Sequence, residues 1–120
     1  MDGLGNPVRV LLTPGQHHDS TQAEALLDGL TFAKVVADRG YAGAPFIAHL
    51  QARGCEAVIP PRQRATIKRA CDTWLYRERH LVECCINKLK HCRRIFSRFD
   101  KLDRSYLGFL HFICALIWLR

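Results

Sequence analysis

The sequence predicts an α/β fold, a sheet covered by helices. Short β-branched runs alternate with helical patterns, and Gly and Pro punctuate the joins between them. The alternation fills residues 1–60, after which the chain turns helical and strongly basic. At 120 residues there is room for one modest domain, and 48% apolar content is that of a globular chain with a core, not of a disordered one.

The elements follow in order. Val8-Arg9-Val10-Leu11-Leu12-Thr13 reads as a strand, entered through the turn Gly5-Asn6-Pro7 and stopped by Pro14-Gly15. Asp19 or Ser20 is placed to cap a short helix through Ala23, Leu26, Leu27 and Leu30. Ala33-Lys34-Val35-Val36-Ala37 is apolar apart from its lysine, which predicts a strand buried on both faces. Pro45 to Arg53 is a helix with Phe46, Ile47 and Leu50 on one side, closed by Gly54. Glu56-Ala57-Val58-Ile59 is a third strand, ended by Pro60-Pro61. Arg62 to Arg69 reads as a basic, mobile loop. A long helical pattern follows from about Thr73 to Ser97, and a last helix runs from about Arg104. Three strands make a thin sheet for this plan.

Charge is unevenly placed. Eighteen Lys and Arg against 11 Asp and Glu give a formal net charge of +7. Residues 1–60 are slightly acidic, residues 61–104 carry nearly all of the positive excess, and residues 105–120 add only Arg120. Such a balance points to a polyanion, either nucleic acid or an acidic membrane surface, with a solvated basic face as the plain alternative. The membrane reading fails because the apolar side of the basic helix is spent on a core. The run Phe109 to Leu119 is too short to span a bilayer.

Six cysteines raise the question of zinc or disulfides. No C-x2-C pair occurs, and Cys84 and Cys85 are adjacent, so convergent zinc ligation is not indicated. Met1-Asp2-Gly3 does not open a secretory leader, and the thiols are expected to be reduced, packed as small hydrophobes. His17, His18 and His80 form no pair at metal spacing with a carboxylate.

At about 100° per residue, Tyr76, Arg79, Glu83, Lys90 and Arg94 fall within roughly a 60° arc of the long helix. Leu81, Val82, Cys85, Leu89, Cys92 and Phe96 fall on the other side. One stripe faces a core and the other presents one carboxylate among cations. An i,i+4 pair of Arg79 with Glu83 would account for part of this without any function.

The spacing Y-x2-R-x3-E-x6-K, carried by Tyr76, Arg79, Glu83 and Lys90, resembles the signature of a large group of bacterial insertion-sequence transposases of the DDE class. Asp38-Arg39-Gly40-Tyr41 resembles the D-x-G-Y block that carries that group's second catalytic aspartate. Leu12-Thr13-Pro14-Gly15 with His18-Asp19, and Ala115-Leu116-Ile117-Trp118-Leu119, are similar to the same family, in the same order along nearly the whole chain.

The resemblance implies an RNase H-like sheet and phosphoryl transfer at DNA phosphodiesters, in which water and then a 3′-hydroxyl attack phosphorus. It implies two Mg²⁺ (or Mn²⁺) ions, about 4 Å apart, clamping the attacking and leaving oxygens, held by three carboxylates. Asp38 and Glu83 match two of these, as catalytic and metal-binding residues. Lys90, Arg79 and Tyr76 would contact the strand, and Arg62, Arg64, Lys68, Arg69 and Arg94 would add backbone affinity. Asp38 ahead of Arg39-Gly40 also suits a plain turn-forming aspartate.

The family's first aspartate has no counterpart, and Asp2 does not match it. The fold expected is therefore an incomplete RNase H-like one, its first strands missing and its C-terminal part helical. It divides into a strand-and-helix half at 1–60, a basic loop and helix at 61–104, and an apolar helix at 105–120. Such a chain is the C-terminal part of a transposase, with two ions expected only in the complete enzyme. Its expected partners are DNA, at element ends and target, and an upstream transposase portion or a full-length transposase. The complete enzyme is expected to be a homo-oligomer, in the bacterial cytoplasm at the nucleoid. The alternative is a non-catalytic DNA-binding fragment that modulates a full-length enzyme. A helix-turn-helix regulator fits less well, because the basic region holds no short helix pair joined by a glycine turn.

Overall fold

Helix hydrogen bonds are local, so the helices are where the sequence speaks most directly. Pro45 sits in the first turn of α2 (Ala44–Ala52), where a missing N–H costs nothing, and Gly54 takes φ +71° just past its end. The computed structural model describes residues 1–14, 16–64, 70–93, 95 and 101–119, and divides the chain into two compact units. One comprises Thr13–Arg79, the other Met1–Leu12 with His80–Arg120.

In the first unit a 3-10 turn (Asp19–Gln22) leads into α1 (Ala23–Leu27). Neither Asp19 nor Ser20 caps α1; both lie inside that turn, and the Thr21 hydroxyl donates to the His18 carbonyl at 2.7 Å. Strands β1 (Lys34–Val36) and β2 (Glu56–Val58) pair in parallel, Lys34 opposite Glu56, Val35 opposite Ala57 and Val36 opposite Val58. Lys34 Nζ and Glu56 Oε2 meet at 3.1 Å across that first rung. Half-exposed, the pair contributes less than about 1 kcal/mol, and its main effect is to oppose a slip of register.

The core of this unit is Ile47, Leu50, Cys55 and Ile59, with Leu27, Phe32, Val35 and Tyr41 packed against it. Leu50, Val58 and Ile59 are fully buried. Burial thus concentrates in β2, whereas Val35 and Val36 of β1 stay half-buried, short of the two-sided burial expected of them. The Arg53 guanidinium clasps the end of α1, donating to the carbonyls of Leu27 and Leu30, and lies 4.9 Å from the centre of the Phe32 ring.

Val8–Thr13, expected as a strand, also differs. It pairs with no strand among the described residues, so the sheet there has two strands instead of three. A strand exists only where a partner supplies its hydrogen bonds, and β-branched residues alone cannot provide one. The turn before it is centred on Gly3 and Leu4, earlier than Gly5-Asn6-Pro7. Asp2 Oδ1 accepts from the N–H groups of Leu4 and Asn6, each at 2.9 Å.

Those hydrogen bonds, the one from Asn6 above all, hold the Asp2 carboxyl below the ordinary carboxylate range. A depressed folded value means the turn gains stability above the unfolded value and loses it as pH falls through the folded one. Carboxyl NMR titration of Asp2 checks this: a midpoint at or above that of a free aspartate refutes it.

Within the second unit, α4 (His80–Lys90) packs on α5 (Asp103–Trp118). Leu110, Ile113, Cys114 and Ile117 form the buried stripe of α5, and Cys85 is its counterpart on α4. All six cysteines are free thiols. Burial pushes Cys85 and Cys114 above the usual thiol range, which keeps both as neutral packing groups. Among the described residues no helix is long and apolar enough to cross a membrane.

Candidate functional site

Asp38 stands two residues beyond β1, at the carboxyl end of a parallel strand, where open α/β sheets place their ligand-binding groups. Its side chain is exposed and caps the 3-10 turn Arg39–Tyr41, Oδ1 accepting from the Gly40 N–H at 2.8 Å. The turn-forming role suggested by the sequence is therefore real. It occupies one carboxylate oxygen, and among the described residues Oδ2 accepts no hydrogen bond.

Gly40 is required by closeness. A Cβ there would lie 2.9 Å from Asp38 Oδ1. Gly40→Ala is expected to swing the carboxylate off its N–H donor, at a cost of about 1 kcal/mol. Backbone amide shifts confined to Asp38–Tyr41, with a small fall in unfolding midpoint, are the measurement. An unchanged Gly40 amide would contradict it.

Tyr41 follows directly and packs at 6.3 Å, tilted, on Phe46. Burial first, then the charges of Asp19 and Asp38, raise its phenol above the usual range, so it stays a neutral donor. Beside this turn lies a hollow of about 330 Å³ lined by Ser20, Thr21, Glu24, Tyr41, Phe46 and Arg62 among others, so its lining carries one cation and one carboxylate. A larger hollow, about 540 Å³, is lined by Glu24, Asp28, His49 and Arg53; its two carboxylates oppose a phosphate.

The long helix predicted over Thr73–Ser97 is broken. It consists of α3 (Thr73–Tyr76), a 3-10 turn (Arg77–Arg79) and α4, which ends at Lys90; a turn follows at His91 and Cys92, and Arg93 and Ile95 are helical again. Asp72 starts it, its side chain accepting from the Leu75 N–H at 3.1 Å. A 3-10 turn advances about 120° per residue, so the arc drawn at α-helical pitch holds only within each piece. Within α4 the two faces stand as expected: Leu81, Val82, Cys85 and Leu89 are half-buried or buried, while Glu83 and Lys90 are exposed.

Asp38, Tyr76 and Arg79 belong to the unit Thr13–Arg79, and Glu83 and Lys90 to the other. Tyr76 and Arg79 are half-buried; Arg62 and Arg64 are exposed in a segment without regular structure. Lys68, Arg69 and Arg94, with Phe96, lie outside the described residues.

Sequence reasoning missed Trp74. Its indole is 75% exposed, with the Arg77 guanidinium 5.5 Å from the ring centre. An exposed indole with a neighbouring cation can stack a base, and its position in the basic stretch was the available signal.

Asp38 and Glu83 offer hard oxygen donors of the class a divalent cation takes. Among the described residues, however, no three His, Cys, Asp or Glu side chains form a group able to hold a metal ion. The described residues alone do not make a complete metal site.

The family model for the transposase DDE domain matches residues 1–118. A Brucella ovis protein described as "Putative transposase for insertion sequence element IS6501" is 42% identical over 125 aligned residues, covering 100% of this chain and 94% of that relative. No solved structure matches.

Proposed function

Since the chain belongs to the transposase DDE-domain family, we propose that it acts on the DNA of an insertion sequence, with Asp38 and Glu83 as its acidic residues. The observation that carries the reading is the exposed Asp38 carboxylate at the carboxyl end of β1, one of whose oxygens has no hydrogen bond among the described residues. The complete tetrad Tyr76, Arg79, Glu83 and Lys90 supports it from the sequence.

In this reading the sheet belongs to an RNase H-like arrangement. Lys90 and Arg79 contact phosphates next to the reacting bond, as fixed charges where negative charge develops. Tyr76 packs or hydrogen-bonds against the strand, and Arg62 and Arg64 add affinity without regard to sequence. Divalent cations of the Mg²⁺ or Mn²⁺ kind serve this chemistry in the family. No metal-dependent step is assigned to the described residues, because they hold no complete ligand set.

Two matched carboxylates, Asp38 and Glu83, where the resemblance implies three, favour a second reading for the chain on its own: it binds DNA without cutting it. The test is incubation of the pure chain with supercoiled plasmid and Mn²⁺. No nicking above background is expected, while the chain still retards the DNA. Nicking that Glu83→Gln abolishes would overturn the non-cutting reading and confirm Glu83 in catalysis. Failure to retard DNA at low salt would remove the DNA reading as a whole.

A further inference from the structure

The short helix α3 holds a large aromatic ring out in water. Asp72 fixes the start of this helix, its carboxylate accepting from the Leu75 N–H at 3.1 Å and its carbonyl from the Tyr76 N–H at 2.9 Å. Leu75, Tyr76 and Arg79 are half-buried, whereas Trp74, Arg77 and Glu78 are exposed. Trp74 and Arg77, three residues apart, are neighbours on the surface, and the guanidinium stands over the indole, 5.5 Å from the ring centre. A rotation of about 200° separates Trp74 from Tyr76, so the indole does not share the side that Tyr76 takes.

An indole has two flat faces. The guanidinium stands over one, and with Trp74 75% exposed the other lies open to solvent. A flat ring backed by a cation takes another flat ring. Residues 61–104 hold nearly all of the chain's positive excess, and in so basic a stretch the incoming ring is a nucleobase. Within a duplex each base is covered on both faces by its neighbours. The indole therefore meets a free face only where a base is unpaired and unstacked. Charge sets the direction of the backbone beside that base: Arg77 attracts the flanking phosphate, and Glu78 repels it.

We infer that Trp74 stacks on an unpaired base, with Arg77 on the flanking phosphate, and so strengthens the chain's hold on single-stranded DNA and not on duplex. The inference rests on the DNA reading above and adds to it a residue that tells the two forms apart. Fixed charges such as Arg79 and Lys90 cannot do this, because single and paired strands both carry phosphates. A ring that needs an uncovered base can. The contact is indifferent to sequence, since every base has a flat face to offer.

The test is fluorescence anisotropy of the full chain with a labelled mixed-sequence DNA strand, free and annealed to its complement, at about 50 mM salt. Trp74→Ala should weaken binding of the free strand about tenfold or more and of the duplex less than about twofold. Trp74→Phe should keep most of the free-strand affinity. The free strand should also quench the indole emission of the unsubstituted chain, and fail to do so in Trp74→Phe, where Trp118 alone reports. Trp74 is exposed, so its replacement leaves the fold intact, which circular dichroism checks. Equal losses on the two DNA forms, or none, overturn the inference and leave the DNA reading standing. Binding of neither form by the unsubstituted chain overturns both. A change of oligomeric state in Trp74→Ala with free-strand affinity unaltered gives the indole to a protein partner and also overturns the inference.

Discussion

Raising salt from about 50 to about 200 mM is expected to lower the chain's affinity for duplex DNA at least about a hundredfold. Each phosphate neutralised releases condensed counterions, so log affinity falls with log salt at a slope of about −0.9 per contact. About five contacts, from residues such as Arg62, Arg64, Arg79 and Lys90, give a slope near −4.5 and a loss of about 500-fold over that interval. Replacing Arg62 and Arg64 together by alanine should lower the magnitude of the slope by about two, equally for unrelated DNA sequences. Both residues are exposed and outside any helix or strand, so their loss leaves the fold intact. Affinity that stays level across this range would show that the net charge of +7 is only a solvated surface.

Leu50→Ala is expected to have the largest effect on stability. Leu50 is 0% exposed and lies on α2 in one cluster with Ile47, Cys55 and Ile59. Truncation removes buried methyl groups and leaves a cavity, which costs about 2–5 kcal/mol. A domain of this size holds about 5–15 kcal/mol in all, so the change removes a large share of the stability of the unit Thr13–Arg79. Urea unfolding followed by circular dichroism should show the midpoint falling with little change in slope. Leu119, 83% exposed, is the control: its truncation should shift stability by less than about 0.5 kcal/mol. A loss under about 1 kcal/mol at Leu50 would show that the core lies elsewhere.

The parts legible in the sequence are those whose causes are local. Pro45 and Gly54 bracket α2, the apolar spacing of Leu81, Val82, Cys85 and Leu89 marks the inner face of α4, and Ala33–Ala37 and Glu56–Ile59 locate β1 and β2. The family too was legible, because the tetrad spacing and the Asp38 block are properties of residue identity. The break of the long helix at Arg77–Arg79 was not, since that stretch has no proline or glycine to announce a 3-10 turn.

By itself, then, the sequence determined where helices start and stop, which faces are apolar, where the charge lies and which family's residues are present. Tertiary structure alone decided the rest. It paired Lys34 with Glu56, laid Arg53 over the end of α1, turned the Asp2 carboxylate into the organiser of a loop, and left Val8–Leu12 with no partner strand among the described residues. The physical reason is the range of the interactions: a helix satisfies its N–H and C=O groups within four residues, whereas a strand, a clasp or an ion pair needs a group distant in sequence, and no local pattern says whether it will arrive.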